Sequence, residues 1–132
     1  MKVVVAGGSG ALGRRVCDDL AGRGHDVVVL TRTAGPGSHR QVLWDGACVG
    51  PWLHELDGSA VVNLAGALVD RRPTRRNIAL LASSRVEPTL ALAAAARTVA
   101  TVPVLVQAST AAIYGDAGEE PVGEASPVAD GP

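Results

Sequence analysis

Val3-Val4-Val5-Ala6-Gly7-Gly8-Ser9-Gly10-Ala11-Leu12-Gly13 decides how the rest of this chain is read. Four apolar residues, Val3 to Ala6, form a short strand buried on both faces and run straight into glycines at 7, 8, 10 and 13. From Ala11 onward Leu12, Val16 and Leu20 recur every four residues, with Cys17 and Ala21 beside them, so the turn opens an amphipathic helix. The glycines fit G-x-G-x-x-G through Gly8, Gly10 and Gly13, and equally G-x-x-G-x-x-G through Gly7, Gly10 and Gly13; both spacings occur in dinucleotide-binding turns. The first glycine turns the backbone out of the strand. Gly10 has no Cβ to hold a pyrophosphate off the main chain, and Gly13 lets the helix pack close to the strand. The unpaired amides of the helix start, on Gly8, Ser9, Gly10, Ala11, Leu12 and Gly13, then face the phosphates. A second strand, Val27 to Thr31, closes a unit of about thirty residues, the context that gives a glycine triplet its meaning.

The residue ending that second strand selects the cofactor. An acid there binds the ribose 2′-hydroxyl of NAD, whereas Arg accommodates a 2′-phosphate. Here the positions are Thr31 and Arg32, with no acid. A planar, permanently charged guanidinium suits a phosphate, so NADP is the expected cofactor and NAD the alternative.

The 132 residues form one domain, near the low end for a complete dinucleotide-dependent enzyme. A net charge of −1 gives no basic field for nucleic acid, and no unbroken apolar run approaches a membrane span. The N-terminus is too short in its apolar run for a signal peptide, and a cytoplasmic location is expected. Cys17 and Cys48 form neither a disulfide framework nor a CxxC site, and His25, His39 and His54 have no ligand spacing, so no metal is expected.

Further along, Val42-Leu43-Trp44 reads as a third strand, Trp52 to Leu56 as a turn or two of helix, and Ser59 to Leu64 as a fourth strand entering Asn63-Leu64-Ala65-Gly66-Ala67. Arg71, Arg72, Arg75 and Arg76 straddle Pro73-Thr74; they could touch phosphate or an acidic substrate, but read first as a solvated loop and first helical turn, with Thr74 as the cap. A long helix continues to about Val99 with a kink or break expected at Pro88. Val102 to Val106 is the fifth strand, and Asp116 to Pro132 is polar loop. Strands alternating with helical segments imply right-handed βαβ units. The expected fold is α/β: a Rossmann-like, doubly wound parallel sheet of about five strands, incomplete at its C-terminal end.

Three stretches, Gly7 to Gly13, Asn63 to Gly66, and Ser109-Thr110-Ala111-Ala112-Ile113-Tyr114-Gly115-Asp116, together resemble the extended short-chain dehydrogenase/reductases, the NAD(P)-dependent epimerase/dehydratase-like family. Ser84-Arg85-Val86-Glu87 followed by Thr89 resembles an atypical branch, in which Arg85 and Pro88 stand where mainstream members carry the Asn and Gly of N-V-x-G-T. The resemblance implies that Gly7, Gly10 and Gly13 form the pyrophosphate turn and that Leu64, Ala65 and Gly66 pass beside the cofactor. It also implies that Thr110, with Ser109 as second candidate, holds the catalytic Ser/Thr position. The family's proton donor is the Tyr of Y-x-x-x-K. Tyr114 is not that residue, because Gly118 stands four positions later, and no Y-x-x-x-K occurs in the chain.

Two functional expectations follow. The first is the NADP(H)-binding part of an epimerase-like oxidoreductase, inactive alone and ending before the donor helix, with a small-molecule substrate once completed by further sequence. The second is a non-catalytic NADPH sensor or partner-binding module. With no helical pattern after the fifth strand, apolar surface is expected to stay uncovered and to promote self-association.

Overall fold

The computed structural model describes residues 1–129. Five parallel strands, β1 (Lys2–Ala6), β2 (Asp26–Thr31), β3 (Arg40–Leu43), β4 (Ala60–Asn63) and β5 (Leu105–Gln107), lie in the order β3-β2-β1-β4-β5. Helix α1 (Ala11–Gly22) connects β1 to β2, a 3₁₀ segment (Pro51–Leu56) precedes β4, and α2 (Arg75–Ala96) connects β4 to β5. A short 3₁₀ turn, Ala111–Tyr114, follows β5. The order reverses at β1, with β2 on one side and β4 on the other, and such a switch point opens a crevice at the carboxyl ends of the strands.

Alternation along the central strands builds two cores. Val3 and Val5 of β1, with Val27 and Val29 of β2 and Ala60 of β4, face Cys17 and Leu20 of α1. Val4, Ala6, Val28, Leu30 and Val61 face the other way, onto Trp52 and Leu56 of the 3₁₀ segment and Ala91, Leu92 and Ala95 of α2. Trp44 and Trp52 meet edge to face at 5.3 Å in that second core. The expected doubly wound architecture is therefore present, with a layer on each face.

Several local expectations shift. Trp44 lies outside β3, which begins at Arg40; its amide instead donates to the Thr31 carbonyl at 3.1 Å and ties the end of β3 to the end of β2. The fourth strand occupies only Ala60–Asn63, and the fifth only Leu105–Gln107 rather than Val102 to Val106. Leu12 is 63% exposed: α1 presents Gly13 and Cys17 to the sheet, and the expected apolar stripe is displaced by one residue. Helix α2 runs without a break through Pro88, which is buried. Burial of Pro88, Ala91, Leu92 and Ala95 anchors the helix from the proline onward, which offsets the lost hydrogen bond. Thr74 caps α2 as expected, its hydroxyl accepting from the Asn77 amide at 3.2 Å. The polar segment from Asp116 carries turns only, and residues 130–132 of that expected loop lie outside the described residues.

Among the described residues α2 is the one helix long and apolar enough to cross a membrane by length and composition. It serves here as a layer of the sheet fold. At the β5 edge all three strand residues are exposed, Val106 by 50%, and among the described residues no strand pairs beyond β5.

Candidate functional site

A cleft of roughly 460 Å³ opens at the carboxyl ends of β1, β2 and β4. Its floor is the glycine turn. Gly7 has φ +78°, a conformation that favours glycine, and a Cβ there would lie 2.7 Å from the carbonyl carbon of Leu64. The turn and the segment after β4 are thus pressed together, with the Leu64 amide donating to the Ala6 carbonyl at 2.9 Å. The Gly10 amide donates to the Gly7 carbonyl at 3.1 Å, and Gly10 stands as the N-cap of α1 without a side-chain cap. The first-turn amides of α1, which no helical carbonyl can reach, are left without a side-chain acceptor from the N-cap. A backbone cradle that side chains would fill, at a helix start that lacks its own acceptor, fits a phosphate.

The structure brings Gly7, Ser9, Gly10, Thr31, Arg32, Leu64, Ala65 and Gly66 together around this cleft. Gly8, Ala11, Leu12 and Gly13 do not line it. Gly8 is buried behind the turn against Val29 and Cys17, and Gly13 is seated on the Gly7 carbonyl, so their part is to shape the cradle. Burial raises the Cys17 thiol pKa, with the Asp18 charge adding to it, so this thiol stays protonated beneath the turn.

Thr31 is buried, and its hydroxyl donates to the Thr33 carbonyl at 2.9 Å, fixing the chain as it leaves β2. Arg32 is directed into the cleft, and among the described residues no carboxylate lies within ion-pair reach of it. Beside it stand Trp44, Asp45 and Gly46, which sequence reasoning missed: a Cβ on Gly46 would lie 4.0 Å from Arg32 Cδ. The Asp45 carboxylate accepts from the Cys48 and Ala47 amides, each at 2.8 Å, and these bonds hold its pKa below the usual carboxylate range.

The second wall was also missed. Leu80, Ser83, Ser84, Glu87 and Pro88 of α2 line the cleft, as does Arg71, one of the four arginines for which a phosphate or acidic-substrate contact was the second expectation. Behind that wall Asn63 is fully buried: its carbonyl oxygen accepts from the Ala65 amide at 3.1 Å, and its amide group donates to Thr89 and Gln107. One side chain therefore joins β4, β5 and α2 beneath the cleft.

Ser109 and Thr110 are not part of this cleft. They line a shallow depression with Ala111, Ile113 and Tyr114 just after β5, at the same end of the sheet, because Asn63 pairs with Gln107 in register. Both are exposed, and the Thr110 hydroxyl accepts from the Ala112 amide at 3.2 Å as the cap of the 3₁₀ turn. Among the described residues no group of three or more His, Cys, Asp or Glu could hold a metal ion.

Residues 3–132 match the model of the NAD dependent epimerase/dehydratase family. The Epimerase family protein SDR39U1 of Bos taurus is 37% identical over 98 residues, which is 72% of this chain and 31% of that protein. The crystal structure of the human epimerase family protein SDR39U1 (isoform 2) with NADPH is similar at a TM-score of 0.71 and 32% identity, over 86% of this chain and 38% of that one. A UDP-galactose 4-epimerase structure matches at a TM-score of 0.77 and 28% identity, over 98% of this chain and 45% of its own. The chain thus spans less than half the length of each.

Proposed function

Because this chain belongs to the NAD dependent epimerase/dehydratase family, we propose that it is the NADP(H)-binding part of an epimerase-like oxidoreductase of the extended short-chain dehydrogenase/reductase type. The observation that carries this reading is Arg32, a guanidinium without an acidic partner placed in the same cleft as the Gly7–Gly10 cradle. Bound there, the dinucleotide would supply hydride chemistry. The protein's part is to seat the pyrophosphate on the backbone of Gly7, Ser9 and Gly10, to meet a 2′-phosphate with Arg32, and to lay the remainder along Leu64, Ala65 and Gly66. A relative of 32% identity has been solved with NADPH, which supports the same choice of cofactor. A cytoplasmic setting agrees with two free thiols, buried Cys17 and exposed Cys48.

Titration with NADPH and NADH tests the assignment. Arg32→Ala is expected to weaken NADPH binding roughly ten- to a hundredfold, the value of a charge-assisted contact, and to leave NADH nearly unchanged. Equal losses for both cofactors would remove Arg32 from the role.

A second reading is a cofactor-binding module without chemistry of its own, a sensor of NADPH or a partner-binding unit. In either case we propose self-association of the chain as given. The free edge of β5 carries unpaired backbone groups beside exposed Val104, Leu105 and Val106. On α2, Ile78, Val86 and Leu90 form an exposed row in steps of four and eight residues. Sedimentation is expected to show species larger than one chain. A monodisperse monomer that binds no hydrophobic dye would contradict this.

A further inference from the structure

Cofactor walls work only when their own backbone is held still, and the wall after β4 has no regular secondary structure from Leu64 to Thr74. Its backbone polar groups must find partners elsewhere. Two adjacent residues of α2 supply them at Ala67. The Ser84 hydroxyl accepts from the Ala67 amide at 2.9 Å while donating to the Leu81 carbonyl at 3.0 Å. The Arg85 guanidinium donates to the Ala67 carbonyl at 3.1 Å and, through its other terminal nitrogen, to the Leu81 carbonyl at 3.0 Å. Both backbone groups of one residue are thereby tied to one turn of one helix. Gly66 completes the fit, because a Cβ there would lie 3.2 Å from Arg85 Cζ and 3.3 Å from its Cγ. The Arg85 side chain therefore passes close beside Gly66, in space that a larger residue there would crowd.

We infer that Ser84 and Arg85 are positioning residues for cofactor binding, acting as a clamp that fixes the Leu64–Ala67 wall against the dinucleotide. The inference rests on the NADP(H) reading of the cleft. Asn63 holds the start of the wall through the Ala65 amide, and the Ser84–Arg85 pair holds its end two residues later. Arg85 reaches Ala67 from the outside of the wall and is not itself a cleft-lining residue, whereas Ser84 is. This arrangement also gives a physical reason for Arg at the position: Asn would be too short to bridge from α2 to the Ala67 carbonyl and the Leu81 carbonyl together, and Lys has no planar fork to donate to both.

The 132-residue chain and its Arg85→Ala, Arg85→Lys and Ser84→Ala variants are titrated with NADPH, and amide exchange at Ala67 is followed in parallel in the absence of cofactor. Loss of either clamp partner is expected to raise the NADPH Kd about three- to tenfold and to speed exchange at Ala67 while α1 amides keep their protection. Arg85→Lys is expected to fall between the wild type and Arg85→Ala, and the double variant with Ser84→Ala is expected to lose less than the product of the two single losses, since both act on one residue. Absence of NADPH binding by the unsubstituted chain would overturn the cleft reading and this inference with it. Normal binding by that chain, with unchanged Kd in both Arg85→Ala and Ser84→Ala, would overturn the clamp alone. So would a fall in melting temperature with Ala67 exchange and Kd unmoved. If Arg85→Ala does not fold, Ser84→Ala and Arg85→Lys carry the same test.

Discussion

Gly13→Ala is expected to cost this domain about 3 kcal/mol or more of its stability. The added methyl would fall inside van der Waals contact of the Gly7 carbonyl oxygen, at 2.6 Å from Gly8 Cα and 2.9 Å from the Gly7 carbonyl carbon. All three are backbone atoms, so no side-chain rotation can make room; either α1 lifts off β1 or the turn deforms. Lifting α1 would withdraw Cys17 and Leu20 from Val3, Val5, Val27 and Val29. Overpacking that side chains can absorb costs about 1–3 kcal/mol, and a clash confined to backbone should reach or exceed the top of that range. Against a total stability of about 5–15 kcal/mol for a domain, such a loss is about a fifth of the whole or more. Gly22 supplies the control. It is the last residue of the same helix, and a Cβ there meets nothing within 4 Å, so Gly22→Ala should be neutral or stabilising by up to about 1 kcal/mol. Chemical denaturation of both variants decides the matter: a Gly13→Ala protein unfolding at the wild-type denaturant concentration would show that the close approach of α1 to β1 is not obligatory.

The same turn explains why so much of the fold was legible. Val3 to Ala6 could only be a fully buried strand, and the glycines after it announced both the helix and the crossover to β2. Strand ends were less legible because buried parallel strands carry no polar alternation to mark where pairing stops: Trp44 is as apolar as Val42, yet its side chain packs on Trp52 instead of continuing the ladder. Leu12 was misplaced for a related reason. A glycine contributes nothing to an apolar pattern, and it is Gly13, not Leu12, that α1 presents to β1. Pro88 shows the limit of local rules, since tertiary burial of one helix face outweighs a lost hydrogen bond. The cleft was half legible. The residues contributed by the glycine turn, by the end of β2 and by the segment after β4 could be listed in advance. Asp45, Ser84 and Glu87 could not, because their approach depends on how β3 and α2 lie against the sheet and leaves no spacing in the chain. Asn63 stood in a recognisable stretch, but its role as the buried junction of β4, β5 and α2 exists only in three dimensions.

The purified chain is expected to bind NADPH without oxidising it. In the family it resembles, hydride transfer is coupled to proton transfer through a Tyr kept reactive by a nearby Lys, with a Ser/Thr hydroxyl orienting the reacting oxygen. This chain has one tyrosine and one lysine, Tyr114 and Lys2. Tyr114 ends the 3₁₀ turn beyond the carboxyl end of β5, whereas Lys2 starts β1 at the other end of the sheet, where its ammonium lies 3.7 Å from Glu55. A parallel sheet fixes those two positions at opposite ends of its strands, so no side-chain rotation can bring Lys2 beside Tyr114. Of that constellation the chain as given offers only the expected Ser/Thr position, Thr110, whose hydroxyl accepts from the Ala112 amide. A threonine hydroxyl has no accessible pKa near neutrality and cannot act as the acid or base. General acid–base assistance is typically worth about 10²–10⁴-fold, and its loss together with substrate positioning should bring the rate to background. The measurement is NADPH oxidation against a panel of carbonyl compounds and sugar nucleotides, with cofactor binding verified on the same sample. Binding without turnover is the expected result. Turnover that Thr110→Val abolishes would mean that the hydroxyl works with a proton source other than the Tyr–Lys pair, and would reverse the assignment of this polypeptide as a binding part.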